Sequence, residues 1–294
     1  TTEIYTLSLH DALPIYVVVS GDNFTVKVDN GAVTSYVVDG EELLKAPMAP
    51  NYFRALTDND IDFLNFTPPF MFAHPYYKWK HATKAVKALK TSVEEKDGAV
   101  KVKVALDVPF MKNAFVAYTV YSNGKLAVYH SAVPKAPLLR FGFQWNVDKS
   151  LTQISWYGRG EAPSYPDRKT GYKIGKYSLP IDKFEYTYMR PQESSTRADV
   201  RYFTLTDKKG NGIKVTAYYD KPVLFCALPY TPFMLDKYDH VTDVDRTHDI
   251  TVNVDSSQYG IGGDMPGQAF VRDKYQVKAG EKQVLSFLVE PFKK

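Results

Sequence analysis

The stretch YVVVSGDNFTVKVDNGAVTSYVVDGEELL, residues 16–44, decides the fold class. β-Branched and aromatic residues alternate with polar ones along it, which is the period of a half-buried strand. Asn30-Gly31 and Asp39-Gly40 interrupt the alternation, and both residues of such pairs readily take the positive φ angles of a tight hairpin turn. The stretch therefore predicts a meander of antiparallel strands.

The rest of the chain repeats this pattern of alternating runs joined by glycine-containing turns. Further turns of this kind are predicted at Asp97-Gly98, Asn123-Gly124 and 208–212. One helix of one or two turns is predicted near residues 76–82. Many short strands with hardly any helix indicate an all-β protein, and we predict one large antiparallel β-sandwich over residues 16–294.

Composition excludes several classes of protein. A chain of 294 residues with 44% hydrophobic and 14% aromatic residues is long and apolar enough for a large core. The 37 basic and 33 acidic residues are spread along it, so nucleic acid is not an expected partner. No apolar run approaches the ~20 residues that span a bilayer, so we expect a soluble protein without a membrane partner, in the cytoplasm or the periplasm. The single cysteine, Cys226, excludes an internal disulfide, and its apolar neighbours favour a buried thiol.

Residues 1–15, TTEIYTLSLHDALPI, do not continue the pattern that follows them. They have no clear amphipathic period and join abruptly to the strand-like run at Tyr16. The whole segment can be read as one frame of a widely used sequencing adapter, so we predict that it is an artefact and not part of the fold. His10 and Asp11, which resemble a catalytic pair, are excluded with it. On this hypothesis the natural chain is truncated before Tyr16.

The sequence gives few signs of autonomous catalysis. Patterns for a phosphate-binding loop, a zinc protease or a nucleophile elbow are absent. Residues 260–264, GIGGD, lack the strand-loop-helix setting of a dinucleotide site, and a turn between strands is favoured. His240 and His248 lie among the four aspartates of DHVTDVDRTHD, residues 239–249. A cation site is one interpretation of this segment, and a solvated loop is the favoured one.

Three segments combine arginines, acids and aromatic side chains, as loops at binding sites and buried interfaces do. They are FRALTDNDI at 53–61, WYGRGEAPSYPDRKTG at 156–171 and YTYMRPQESSTRADVRYF at 186–203. With GIGGDMPGQ at 260–268 they resemble, in order and spacing, four motifs of the C-terminal domain, or small chain, of family 2 β-galactosidases. Those motifs read R-A-P-x-D-N-D, W-x-G-x-G-P-x-E-x-Y-x-D-R, R-P-Q-E-N-G and G-x-G-G-D-D-S-W.

The resemblance spans residue 16 to near the C-terminus and implies a galactose-mutarotase-like sandwich. Some residues are carried over from the motifs as motif or interface residues. They are Arg54, Asp58, Asn59, Asp60, Trp156, Gly158, Gly160, Tyr165, Asp167, Arg168, Arg190, Pro191, Glu193 and Arg201. Within this set we expect an interface network of Trp156, Arg168, Arg190 and Arg201. The sequence departs from the motifs at Leu56, Glu161, Pro163, Ser194 and Ser195, and at Gly267, where the family often has a sugar-stacking tryptophan.

The resemblance implies retaining hydrolysis of terminal β-D-galactosides by two glutamates about 5 Å apart. In that family the glutamates and the usual Mg²⁺ ligands lie on a (β/α)₈ barrel, and this sequence lacks the alternating strands and long helices of a barrel. We therefore assign no catalytic residue, metal ligand or cofactor to this chain. We expect it to be inactive alone and to pair with a barrel domain or large subunit. The predicted rim of the sugar site is the loop Asp264, Met265, Pro266 and Gly267.

Two other functions stay open at this level. An autonomous aldose mutarotase or epimerase needs a general acid and a general base. The candidates are His130 or His240 with Glu185 or Glu193. A carbohydrate-binding module needs coplanar exposed aromatic side chains, and Tyr186 and Tyr188 are candidates because residues at even spacing share a strand face.

Overall fold

Two antiparallel sheets face each other in the computed structural model, which describes residues 3–6, 16–60, 76–219, 221–262 and 271–293. The described strands are β1 (Glu3–Thr6), β2 (Val17–Ser20), β3 (Phe24–Asp29), β4 (Ala32–Val38), β5 (Glu41–Glu42), β6 (Ala46–Asn51), β7 (Lys87–Lys96), β8 (Ala99–Asp107), β9 (Met111–Tyr121), β10 (Leu126–Pro134), β11 (Arg140–Val147), β12 (Gln153–Arg159), β13 (Ile174–Pro180), β14 (Arg197–Val200), β15 (Tyr202–Thr206), β16 (Gly212–Ala217), β17 (Val223–Leu228), β18 (Ile250–Gln258) and β19 (Gln283–Phe292). The predicted antiparallel β-sandwich is confirmed.

The first sheet has the strand order β1-β2-β3-β4-β6-β11-β18-β17-β14, with β5 paired to β4. The second sheet has the order β13-β12-β15-β16-β19-β10-β9-β8-β7. Within the first sheet, β4 and β6 are joined at one residue pair, Val33 opposite Met48. The meander of β1 to β5 is therefore attached to the rest of its sheet through a short junction.

The hydrophobic core lies between the sheets, because each strand turns its apolar positions inward. Phe287 of the second sheet packs on Phe143 and Trp145 of the first, and its ring is nearly parallel to the Trp145 indole, with centroids 5.8 Å apart. Tyr118 packs edge-on against Phe143. The Cys226 thiol is free and buried in this core, as expected from its neighbours.

Glycine-containing turns connect the strands as the sequence predicts. At three turns both residues of the pair have positive φ angles, as a tight hairpin turn requires. These pairs are Asn30-Gly31, Asp39-Gly40 and Asp97-Gly98. The turn at Asn123-Gly124 is different, because only Gly124 has a positive φ, and Asn123 Oδ1 instead accepts a hydrogen bond from the Lys125 N–H at 3.2 Å.

The predicted helix is confirmed as α1 (Tyr76–Lys84). The helix is attached to the core through Trp79, whose side chain is fully buried and whose ring contacts that of Tyr52. Single helical turns, α2 (Ile181–Phe184) and α3 (Pro232–Leu235), interrupt the later loops. No helix in the described ranges has the length and apolar character needed to cross a membrane.

The strand β1 lies within the segment that we attribute to an adapter. It pairs with β2 at the sheet edge, with Glu3 opposite Ser20 and Thr6 opposite Val17. We expect deletion of residues 1–15 to change the melting temperature by less than about 2 °C, because a segment that was never selected to pack contributes little to stability. A further deletion through Ser20 is the control, since it removes β2 with the buried Val17. A loss of several degrees on deleting residues 1–15 alone would show that β1 supports the sheet.

Candidate functional site

Four loops meet around an open cleft of about 430 Å³. They follow β6, β12 and β18 and precede β14, and each carries one of the four motifs. The lining residues are Thr57, Asp58, Asn59, Asp167, Arg168, Tyr188, Gln192, Glu193, Ile261 and Gly262. Segments that lie up to 206 residues apart are joined here by hydrogen bonds. The cleft is therefore a product of the tertiary fold.

Asp58 joins the first motif loop to the third. Its carboxylate accepts hydrogen bonds from Arg190 Nε and Gln192 Nε2, both at 2.7 Å, and its backbone N–H donates to Gln192 Oε1. Arg190 also donates to the Leu56 carbonyl at 3.1 Å. Desolvation opposes ionisation of Asp58, but the hydrogen bonds from Gln192 and Arg190 outweigh it and lower the pKa of the carboxyl group. Asp58 therefore stays ionised at neutral pH.

Arg54 and Asp60 form a buried ion pair behind the cleft. Arg54 Nη1 lies 2.8 Å from Asp60 Oδ2, and neither side chain is more than 4% exposed. The Thr57 N–H and hydroxyl both donate to the same carboxylate oxygen at 2.9 Å. Arg54 Nη2 also donates to the Gly260 carbonyl at 3.2 Å. The pair therefore holds the first motif loop against the fourth.

Asp167 anchors the start of the fourth motif loop. Its Oδ2 accepts hydrogen bonds from the backbone N–H groups of Ile261 and Gly262, both at 2.9 Å. Gly260 must be glycine here, because a Cβ at this position would lie 2.5 Å from the same oxygen. On the other side of the loop, Asn59 Nδ2 donates to the Ile261 carbonyl at 2.8 Å. The predicted rim residues 264–267 lie outside the described residues.

Arg168 lies at the outer edge of the cleft, where Nη1 donates to Tyr188 Oη at 3.3 Å. Tyr186 and Tyr188, the candidates for a coplanar sugar platform, lie in the irregular segment after α2 and not on a strand. Their rings are 5.2 Å apart and inclined by 60°. The expectation that they share a strand face is wrong, because none of the described strands pairs with this segment and alternation therefore sets no common side.

A cluster of buried charges lies beneath the cleft. Arg140 on β11 lies between two carboxylates, with Nε 3.1 Å from Asp255 Oδ2 and Nη2 3.4 Å from Glu193 Oε2. Glu193 also accepts hydrogen bonds from the Tyr165 and Thr196 hydroxyls at 2.9 and 2.8 Å. One guanidinium group is therefore the counter-charge of two carboxylates. Burial raises the pKa of Asp255 to about 7, because the ionised form is poorly solvated there.

The structure does not join Trp156 and Arg201 to Arg168 and Arg190 in one network. Trp156 is 1% exposed and stacks on Tyr177 in the core, because it occupies an inward position of β12. The Arg201 guanidinium lies over the Tyr157 ring. The expected four-residue network is not formed, because Trp156 faces the core and Arg201 lies over Tyr157 on the other side of β12, while Arg168 and Arg190 lie beside the cleft.

The two motif glycines permit close packing. A Cβ on Gly158 would lie 2.6 Å from a Val200 methyl group, and one on Gly160 would lie 2.8 Å from Tyr172 Cβ. Both positions face side chains that stand close to the β12 backbone. The glycine spacing of this motif is therefore explained by close packing beside β12. Pro191 of the third motif is buried.

The residues proposed for a mutarotase lie in separate surroundings. His130 is fully buried and contacts the Tyr52 hydroxyl and the Phe115 carbonyl, and burial lowers its pKa to about 4. Glu185 forms an ion pair with Arg246 at 2.8 Å. No group of three or more His, Cys, Asp or Glu side chains suited to a metal ion occurs in the described part of the chain. In the segment 239–249, His248 Nε2 lies 3.4 Å from Asp245 Oδ2.

Sequence reasoning missed Arg140 and Asp255, which lie on strands outside the motifs. A signal for Asp255 was present in β18, ITVNVDSSQ, where Thr251, Asn253 and Asp255 form a polar face opposite apolar residues. That face is buried, and Asn253 Oδ1 accepts hydrogen bonds from Asn51 and Arg140. A polar strand face of this kind is covered by loops in this protein and does not face solvent.

The fold and the cleft define a two-sheet β-sandwich domain whose motif loops meet at one open surface. A family model described as beta galactosidase small chain matches residues 20–289. The chain belongs to this family.

Curated relatives of the chain are named beta-galactosidase. The protein of Priestia megaterium is 31% identical over 280 residues, and that of Lactobacillus delbrueckii subsp. bulgaricus is 31% identical over 278 residues. These alignments cover 93% and 92% of this chain but 26% of each relative. Among solved structures, a galactose 1-epimerase from Lactobacillus acidophilus is 10% identical with a TM-score of 0.49, covering 99% of this chain and 98% of that one. The chain spans about a quarter of the length of the curated relatives that it matches.

Proposed function

We propose that the chain is the C-terminal β-sandwich domain of a β-galactosidase, and that it packs on and edges a catalytic barrel. The observation that carries the proposal is the cleft, in which all four family motifs meet although they are distant in sequence. Family membership supports it, since the small-chain match covers residues 20–289. The named relatives are also long enough to hold a barrel, because the matched part is 26% of each.

The contacts of the cleft suit a positioning role. Arg54, Asn59 and Asp167 bind the backbone of residues 260–262 from three directions, and the loop that follows these residues is the proposed rim of the sugar site. Fixing the root of a loop restricts the positions that its tip can reach. Such a loop can orient a substrate and exclude water at a neighbouring catalytic centre.

Each carboxylate of the cleft accepts hydrogen bonds on at least one oxygen, and Asp167 Oδ1 is buried without a partner among the described residues. Asp58 is bound by Arg190, Asp167 by two backbone N–H groups, and Glu193 by Tyr165 and Arg140. A retaining glycosidase needs one acid that exchanges protons and one that attacks the sugar. The engagement of these acids supports a structural role for them, and we assign the glutamate pair, with the Mg²⁺ that the family implies, to the barrel.

The proposal is tested by activity with and without a barrel. We expect the purified chain alone to show no turnover of a chromogenic β-galactoside, and co-expression with a catalytic barrel of the same family to give a stable, active complex. In that complex Arg190→Ala should weaken the pairing by about 2 kcal/mol or more, since it removes the cation that balances Asp58 at a contact that the barrel would cover and leaves Gln192 as its side-chain donor.

Lys125→Ala is the matched control. It removes an ion pair with Glu290 on the second sheet and should leave the pairing unchanged. Turnover by the chain alone that is abolished by substituting one of its own acids would overturn the proposal. If Arg190→Ala does not weaken the complex, the cleft is not part of the contact between this chain and the barrel.

A further inference from the structure

A second concave surface lies on the outer face of the second sheet. Along β9 the outward residues are Phe115, Ala117, Thr119 and Tyr121, while the residues between them point into the core. Ala117 lies opposite Tyr129 of β10, and Thr119 lies opposite Ala127. The two alanines are the smallest side chains of this surface. The face is therefore low at its centre, and we call this depression the trough.

Aromatic side chains close both ends of the trough. At one end the rings of Phe115 and Tyr129 are 5.7 Å apart and inclined by 26°. At the other end the hydroxyls of Tyr121 and Tyr218 are 3.1 Å apart. A floor of alanine methyl groups between aromatic walls fits a flat ligand with one apolar face.

The side of the trough formed by β8 is positively charged. Lys101 and Lys103 lie opposite Thr119 and Ala117, so their side chains share the outer face. Lys103 Nζ lies 4.6 Å from the centre of the Phe115 ring, which holds the ammonium group at the end of the trough. No aspartate or glutamate is among the described residues that line it. Glu94 of β7 lies opposite Lys101, whereas Ser92 lies opposite Lys103, so the end of the trough at Lys103 is complementary to an anion.

The opposite side contains a polar group that lacks a partner. Ser286 on β19 lies opposite Tyr129, and its side chain lines the trough. The residue is 9% exposed, and its hydroxyl makes no hydrogen bond to any described residue. Its oxygen has almost no exposed surface, so Ser286 forms part of the wall of the trough and does not present a donor to a ligand. Tyr219 also lines the trough. Its φ angle is +57°, which is uncommon for an aromatic residue. Strained backbone of this kind clusters at binding sites.

We propose that the trough binds an acidic saccharide, that is, a sugar ring that carries a carboxylate. The C–H face of the ring packs on Phe115 and Tyr129, as amphipathic sugar rings do on aromatic side chains. The hydroxyls of Tyr121 and Tyr218 bond the sugar hydroxyls. The carboxylate binds Lys101 and Lys103 through charge-assisted hydrogen bonds, which are stronger than neutral ones. The inference is independent of the barrel, because every residue that it uses belongs to this chain.

The test is calorimetric titration of the whole chain with trigalacturonate, with the neutral β-1,4-galactotriose as the comparison ligand. We expect saturable binding of trigalacturonate that weakens with added salt, and binding of the neutral trisaccharide that is about tenfold weaker or more. The double variant Lys101→Gln, Lys103→Gln should lose about tenfold in affinity for the acidic ligand only. Tyr129→Ala should weaken the binding of both ligands.

Tyr157→Ala is the matched control, since Tyr157 is an outward tyrosine of the same sheet outside the trough. It should bind both ligands as the unmodified chain does, and circular dichroism should show each variant folded. Absence of trigalacturonate binding overturns the site, and equal binding of the two trisaccharides overturns the preference for an acid. Binding that survives both the lysine and the Tyr129 substitutions places the ligand elsewhere and also refutes the proposal.

Discussion

Replacing Arg140 with alanine is expected to lower the free energy of unfolding by about 4 kcal/mol or more. The Arg140 side chain is fully buried and is the counter-charge of Asp255 and Glu193, which are also buried. The substitution leaves two carboxylates in a poorly solvated place without a cation, and breaking a buried pair on one side carries a large penalty. It also removes the hydrogen bond from Nη1 to the Phe53 carbonyl at the base of the first motif loop.

Denaturant unfolding followed by tryptophan fluorescence measures this effect. Lys45→Ala is the control, because the Lys45–Asp148 pair has a similar separation of 3.2 Å but both side chains are exposed. Exposed pairs contribute about 0–1 kcal/mol. If Arg140→Ala destabilises the chain no more than Lys45→Ala does, the buried ion pairs of Arg140 do not stabilise the fold beneath the cleft.

Asp255→Asn is expected to change the pH dependence of stability. Burial raises the folded-state pKa of Asp255 to about 7, whereas an unfolded aspartate titrates near 4. Between these values the unfolded chain binds fewer protons than the folded one, so this group lowers the free energy of unfolding as the pH rises, by up to ~1.4 kcal/mol per pH unit. Asparagine cannot ionise and removes this contribution. The variant should therefore gain stability relative to the unmodified chain on going from pH 5 to pH 8.

The comparison must be made between variant and unmodified chain at each pH, because His130 opposes Asp255. Burial lowers the pKa of His130 to about 4, so the folded chain binds fewer protons than the unfolded one between about pH 4 and 6.5, and this group raises stability as the pH rises. The two contributions partly cancel in the unmodified chain. A stability difference between Asp255→Asn and the unmodified chain that is equal at pH 5 and pH 8 would refute the raised pKa.

The strands and most turns could be predicted because short-range sterics decide them. Asn-Gly and Asp-Gly pairs readily take positive φ angles where two alternating runs meet. Asn30, Asp39 and Asp97 have the positive φ angles that this predicts. The turn at Asn123 differs because its side chain caps the backbone of Lys125. That choice depends on a hydrogen bond that the dipeptide alone does not encode.

The pairing of charges in the cleft could not be predicted in the same way. Resemblance identified the motif loops, but nothing in the sequence joins Arg140 to Asp255 and Glu193, which lie 115 and 53 positions away. Trp156 was expected in an interface, but it faces the inner side of β12 and packs in the core. Contacts of this kind depend on which strands become neighbours, and that is a property of the whole chain.

The hydrogen bond from Arg54 to Gly260 spans 206 residues of sequence. A ribosome that synthesises this chain therefore exposes the first half of the cleft long before the second half exists. During that interval Arg54 and Asp60 can pair with each other, but the fourth motif loop has not been made. Contacts of such long sequence separation form slowly and late. The complete cleft is consequently present only in chains whose synthesis has passed Gly260 and whose two sheets have closed.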